Sequence, residues 1–178
     1  MEKGGHLEVT QALLPAIRRS RGRIVVTSSL AGRLAQPTYG AYSGSKYALE
    51  AVGDALRREM APEGVKVVLI EPGAVRTEMV GRGGVTARTL ISGMTPEQEQ
   101  RHGGLMQAIL AQSEDFLRTG VDASAAAQVF ARAITSPRPR ARCTIGRDAA
   151  ALTRLARFLP DRALDRVLAS ALRPHLPR

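Results

Sequence analysis

Gly22-Arg-Ile-Val-Val-Thr-Ser-Ser-Leu-Ala-Gly-Arg-Leu-Ala-Gln-Pro-Thr-Tyr-Gly-Ala-Tyr-Ser-Gly-Ser-Lys46 reads as a strand, a loop and the first turn of a helix. Ile24, Val25 and Val26 form a short β-branched run, the pattern of a strand covered on both faces in a parallel sheet. The run ends in two hydroxyls, Ser28 and Ser29. A loop from Leu30 to Pro37 follows, and Tyr39-Gly-Ala-Tyr42 opens a helix expected over 39–61, closed by Pro62 and Gly64. Ala41, Leu49, Val52 and Leu56 are expected on its core side. A second buried strand is expected at 65–70, running into Glu71-Pro-Gly-Ala-Val-Arg-Thr77. Strand, helix and strand in this order predict an α/β fold with a parallel sheet. Such sheets bind ligands at the carboxyl ends of their strands, where Ser29 and Tyr42 are expected to converge.

Tyr42 and Lys46 stand four residues apart, so a helix places them on one face. A tyrosine ordinarily titrates near ~10, too high for easy proton exchange at neutral pH. A neighbouring ammonium favours the phenolate and makes the ring a usable acid and base. The plainer reading is a tyrosine packed against a loop and a lysine in solvent. Ser28 competes with Ser29 for the site, and alternation along a strand lets only one of them face it.

Three blocks together resemble the short-chain dehydrogenase/reductase family: Ser28-Ser29-Leu-Ala-Gly32, Ala41-Tyr42-Ser-Gly-Ser-Lys46-Tyr-Ala-Leu49-Glu50, and Pro72-Gly73-Ala-Val-Arg-Thr77. The resemblance covers about residues 4–150. It implies an NAD(P)-dependent oxidoreductase moving hydride between a nicotinamide and a small ketone or secondary alcohol. By the same resemblance, Tyr42 donates or accepts the proton. Lys46 lowers the tyrosine pKa and holds the nicotinamide ribose, and Ser29 orients the substrate oxygen. The spacing to Tyr42 favours Ser29 over Ser28. Pro72, Gly73, Val75 and Thr77 match positions beside the nicotinamide, where Gly73 permits close backbone approach. An ordinary strand-to-helix turn is the alternative for that segment. The cofactor is NAD or NADP; the residues that choose between them lie outside the matching blocks.

The resemblance is partial. Family members begin with a strand, a Gly-rich turn and a helix that cradle the pyrophosphate, and about half of their sheet precedes the serine. Only twenty-eight residues precede Ser29 here, and none reads as Gly-x-x-x-Gly-x-Gly after a strand. Alignment of the first helix puts Glu2 where many members carry an asparagine of a proton relay. The expected fold is therefore a partial Rossmann-like, doubly wound parallel sheet of about three strands with flanking helices. It forms one truncated domain over 1–178. A non-catalytic remnant or interaction protein is the competing reading, because the strand at 23–28 would present an unpaired edge. The two long helices resemble the family's subunit contacts and predict self-association.

Elsewhere, 6–20 reads as an amphipathic helix, and 73–95, with Gly81, Gly83, Gly84 and Gly93, as a loose segment. In the family that region is a mobile lid. Thr95 and Pro96 resemble a capped helix start, with helix expected over 96–118 and a weak point at Gly103-Gly104. A helix at 122–135, a short strand from Ala141 to Ile145, and two basic amphipathic helices over 148–172 broken at Pro160-Asp161 complete the pattern.

The net charge is +10 over 178 residues, but the basic residues are dispersed and no zinc spacing or stacking aromatic motif accompanies them. No specific nucleic-acid partner is expected. His6, His102 and the single Cys143 have no metal-spaced partners, so no metal site is expected and no internal disulfide can form. The first residues lack a secretory apolar run, and no stretch approaches ~20 apolar residues. No membrane span is expected, and the cytoplasm is the expected compartment.

Overall fold

The computed structural model describes residues 3–176; Glu2, the aligned relay position, lies outside them. Helix α1 (Lys3–Arg19) leads into strand β1 (Arg23–Thr27), and after a 3-10 turn at Leu30–Gly32 helix α2 (Gly40–Met60) crosses to β2 (Lys66–Pro72). Then come β3 (Val75–Arg76), α3 (Glu78–Ser92) and α4 (Pro96–Gln98). A wide π-type turn at Glu99–Gly103 passes into α5 (Gly104–Thr119). The chain continues through β4 (Val121–Asp122), α6 (Ala123–Thr135), β5 (Arg142–Ile145), α7 (Arg147–Phe158) and α8 (Asp161–Leu172).

Strands β1, β2 and β5 form a parallel sheet in that order, and β3 and β4 a separate parallel pair. Alternation along the strands sends Val25, Val68 and Ile70 to one face, where Ala126, Val129, Phe130 and Ala133 of α6 cover them. Ile24, Val26 and Val67 face the other way, against Leu14 and Ile17 of α1 and Leu56 and Met60 of α2. Burial on both faces explains why these strands are continuously apolar. This is the Rossmann-like, three-stranded parallel arrangement expected from the sequence.

Helix α2 approaches β2 at Gly53, where an added Cβ would stand 2.7 Å from Leu69 Cδ2. The residues α2 buries are Ser43, Glu50, Gly53 and Met60. Ala41 is exposed, contrary to expectation, while Leu49, Val52 and Leu56 lie half-buried on the flank. Arg23, at the foot of β1, donates to the carbonyls of Ala133, Ile134 and Ser136, the last at 2.6 Å. The guanidinium thus satisfies carbonyls at the end of α6 and places positive charge at its negative pole. Lys66 Nζ donates to Pro137 O at 2.6 Å on the same turn.

The glycine-rich segment is not loose. Residues 78–92 are helical, and α3 packs on α5 with an Arg88–Glu114 ion pair. Gly84, half-buried within α3, has Leu110 of α5 as a neighbour. The expected weak point at Gly103-Gly104 is the end of the π-type turn. Thr95 closes a full capping box with Gln98.

Candidate active site

The carboxyl ends of β1 and β2 and the amino end of α2 meet at one edge of the sheet. The ladder runs one residue past β1, because Ser28 N–H donates to Ile70 O at 2.8 Å. Its side chain turns inward: Ser28 is 3% exposed and its Oγ lies in the space a Cβ on Gly32 would need. Ser29 has extended backbone, is half-buried, and its Oγ accepts from Ala31 N–H at 3.1 Å, capping the 3-10 turn. The adjacent serines therefore point differently, as alternation demands.

Tyr42 and Lys46 occupy the first turns of α2. The ring of Tyr42 is 43% exposed, and Lys46 Nζ lies 5.7 Å from its centroid. The ammonium also reaches the sheet, donating to Thr27 O at 3.4 Å. It thus spans from the end of β1 to the tyrosine face. Tyr39 packs edge-on against Tyr42, with centroids 6.2 Å apart, and its hydroxyl lies 3.5 Å from Ser113 Oγ of α5. This contact ties α5 to the mouth of the site, and the sequence pattern had not marked it.

On the β2 side, Pro72 ends the strand and Gly73 N–H donates to Ile145 O at 2.9 Å. A Cβ on Gly73 would stand 2.6 Å from Ala149 Cβ of α7, so packing against α7 by itself requires glycine here. Val75 packs into the α6 core cluster. Thr77 is exposed at the start of α3, and its hydroxyl makes no capping hydrogen bond. Val75 is paired with Val121 of β4.

Beneath the edge lies a buried ionic cluster to which the motif assigned no role. Glu50 of α2 and Glu71 of β2 are 4% and 3% exposed. Arg142 of β5 donates from Nε to Glu50 Oε2 at 3.1 Å, while its guanidinium meets Asp54 Oδ1 at 2.9 Å. Thr144 donates to Glu71 Oε2 at 3.2 Å. Burial, reinforced by the Glu50 charge, raises the Glu71 pKa above the usual carboxylate range against the pull of Thr144, Arg33 and Arg142. The hydrogen bond from Arg142 holds Asp54 below that range. The one signal in the sequence was a glutamate ending an otherwise buried apolar strand.

Comparison with known proteins places these features in context. A family model described as short chain dehydrogenase matches residues 3–85. The chain is 32% identical over 164 residues to the NADPH-dependent 3-dehydrocapnine reductase of Ornithobacterium rhinotracheale, covering 89% of this chain and 56% of that protein. It is 34% identical over 169 residues to retinol dehydrogenase 5 of Mus musculus, covering 92% and 53%. A short-chain dehydrogenase from Streptomyces avermitilis superposes with a TM-score of 0.63 at 26% identity, over 93% of this chain and 54% of that one. A short chain dehydrogenase from Burkholderia cenocepacia, solved in complex with NADP, gives a TM-score of 0.64 at 22% identity, over 92% and 54%. The latter likeness is one of fold. The chain spans about half the length of the curated relatives it matches.

Proposed function

This chain belongs to the short-chain dehydrogenase family, and we propose that it carries the proton-transfer and nicotinamide-side half of an NAD(P)-dependent interconversion of a ketone and a secondary alcohol. The observation that carries this reading is Lys46, spanning from the Thr27 carbonyl at the end of β1 to the face of an exposed Tyr42. The relatives' names, a reductase and a dehydrogenase, support the same class of redox chemistry.

The residues at this edge fit the nicotinamide end of the cofactor. Lys46 engages one carbonyl at 3.4 Å and keeps further N–H donors for ribose hydroxyls. Thr77 is exposed at the start of α3 with no capping hydrogen bond from its hydroxyl, and Pro72 and Gly73 stand at the end of β2. When bound, the nicotinamide supplies or accepts the hydride. Tyr42 gives its Oη proton to the carbonyl oxygen in reduction and takes a proton from the alcohol in oxidation. Lys46 places its positive charge over the face of the Tyr42 ring, 5.7 Å from the centroid. Ser29 Oγ accepts from Ala31 N–H at 3.1 Å and keeps its O–H to donate to the substrate oxygen, whose developing charge it stabilises. Tyr39 packs edge-on against one side of the tyrosine.

The test is deuteride transfer from 4-deuterated NADPH, at millimolar concentration, to a panel of cyclic and aryl ketones, read by mass spectrometry. The full chain is expected to transfer label, and Tyr42→Phe to reduce the rate at least ~100-fold. A Tyr42→Phe variant as active as the parent overturns the assignment.

A second reading rests on a separate observation. Strand β1 hydrogen-bonds to β2 alone among the described strands, and beside it a groove of about 590 Å³ runs between β1 and α1. Val9, Leu13, Ile17 and Val25 contribute to its lining, and Val9 and Leu13 are more than half exposed. An open strand edge beside an apolar groove favours association. This reading makes the chain an interaction protein, and a monodisperse monomer in sizing chromatography argues against it.

A further inference from the structure

The ionic cluster under the site contains an imbalance. Arg142 Nε bears a single hydrogen, yet Glu50 Oε2 lies 3.1 Å and Glu71 Oε1 3.2 Å from it. The hydrogen bond goes to Glu50. Glu71 Oε1 and Glu50 Oε1 are both buried and have no hydrogen-bond partner. Asp54 already engages Arg57, at 3.1 Å, and the far end of Arg142. Arg33 approaches Glu71 only to 3.8 Å. Two buried carboxylates thus compete for one N–H: Arg142 Nε bonds Glu50, and Glu71 keeps the Thr144 hydroxyl on Oε2 while its Oε1 has no hydrogen-bond partner.

Two buried carboxylates, each with an oxygen within 3.2 Å of one Nε, repel each other when both are ionised, and a proton taken up by one relieves that repulsion. Every neighbouring element contributes to this balance. Arg33 comes from the loop after the 3-10 turn; Glu50, Asp54 and Arg57 from α2; Cys143, Arg142 and Thr144 from β5. Arg142 already stands between the carboxylates, so the cluster is no cation site.

The cluster also spans the backbone of the candidate site. Glu71 precedes Pro72 and Gly73 directly. Glu50 Cγ lies 3.1 Å from where a Cβ on Gly32 would stand, with Ser28 Oγ at 2.7 Å and Lys46 O at 3.0 Å from the same point. One residue of the pair thus abuts the serine loop, and the other fixes the turn at the end of β2.

We propose that Glu71, beside the Arg142-bonded Glu50, keeps its proton in the folded protein at neutral pH, and that this pair is a positioning element registering the Pro72–Gly73 turn against the Ser28–Gly32 loop. Neither glutamate contacts substrate in this assignment, and it stands independently of the redox reading.

The experiment uses the full chain with its glutamates labelled at the side-chain carboxyl with carbon-13, followed by NMR from pH 4 to 9. Glu50→Gln and Glu71→Gln assign the signals, and the amides of Gly32 and Gly73 report the backbone. One carboxyl signal of the pair is expected to remain in its protonated position after the exposed glutamates have finished titrating. The Gly32 and Gly73 amides should shift with its midpoint. Glu71→Gln, which keeps the shape and supplies a permanent donor, should lose both transitions and retain the parent melting temperature at pH 7, whereas Glu71→Ala should melt lower. The proposal is overturned if every glutamate titrates in the ordinary carboxylate range, if the glycine amides ignore the transition, or if Glu71→Gln is as damaging as Glu71→Ala. A Glu71→Gln chain that fails to fold counts as that last outcome, and the parent titration stands without it.

Discussion

Replacing Gly32 by alanine tests the packing that sets the serine loop on α2. The new methyl would lie 2.7 Å from Ser28 Oγ, 3.0 Å from Lys46 O and 3.1 Å from Glu50 Cγ. Ordinary contact begins at 3.4 Å. Ser28 Oγ can rotate, but the Lys46 carbonyl belongs to the helix and Glu50 is held by Arg142. The loop must therefore move away by roughly 0.5 Å, and forced repacking of this kind costs about 1–3 kcal/mol. Alanine also stiffens the unfolded chain, which returns about 0.4–1 kcal/mol. The net expectation is a loss of roughly 1–2 kcal/mol, or about 2–8 °C in melting temperature for a chain of this size. Gly44, on the exposed face of the same helix, has nothing within 4 Å of its added Cβ. Gly44→Ala is expected to stabilise by about 0.5–1 kcal/mol. Urea and thermal melts of both variants beside the parent give the comparison. If Gly32→Ala is as stable as Gly44→Ala, the loop does not pack on α2 in this manner.

Four further outcomes are expected. Arg23→Ala should destabilise by about 1.5–3 kcal/mol in urea melts, since it strips a charged donor from three carbonyls at the end of α6. Arg142→Ala should cost about 3–5 kcal/mol, because it leaves the buried carboxylates without their shared cation. The pH dependence of stability should have two opposed limbs. Asp54, with its pKa lowered, contributes stability above the usual carboxylate range that is lost as pH falls through its folded value. Glu71, with its pKa raised, contributes stability that is complete below that range and lost as pH rises through its folded value, so Glu71→Gln should abolish this second limb alone. Calorimetric titration with NADPH should show affinity weaker than micromolar, since no Gly-rich phosphate-binding turn follows a strand in this sequence.

Much of the fold was legible because local pattern and tertiary role agree. Val67 to Ile70 read as a strand buried on both faces, and it is; Ile24 to Val26 form the expected strand, with Ile24 buried and Val25 and Val26 half-buried. Thr95 and Pro96 carry a helix start in their chemistry, and Pro160 separates α7 from α8 as expected. The misses have physical reasons. Gly81, Gly83 and Gly84 argue locally against α3, yet the segment is helical where it packs on α5, a tertiary contact that no local window contains. The apolar residues of α2 put Ala41 on the core side by pattern alone; the face that meets the sheet instead carries Ser43, Glu50 and Gly53. Strands β3 and β4 are two residues each and pair across 46 positions, which no local window reveals. At the candidate site, the spacing of Tyr42 and Lys46 gave their common helical face. The partners of Glu50 and Glu71 arrive from β5, and only the folded topology brings Arg142 and Thr144 to them.

In the proposed function, the edge formed by β1, β2 and the first turns of α2 receives the nicotinamide end of a dinucleotide. Saturation-transfer NMR of the full chain with millimolar NADPH addresses it directly, because the nicotinamide, ribose and adenine protons are resolved separately. The account predicts strongest saturation on the nicotinamide and its ribose, weak saturation on the adenine, and loss of the nicotinamide signal in Lys46→Ala. Saturation centred on the adenine, or a nicotinamide signal indifferent to Lys46→Ala, would contradict it.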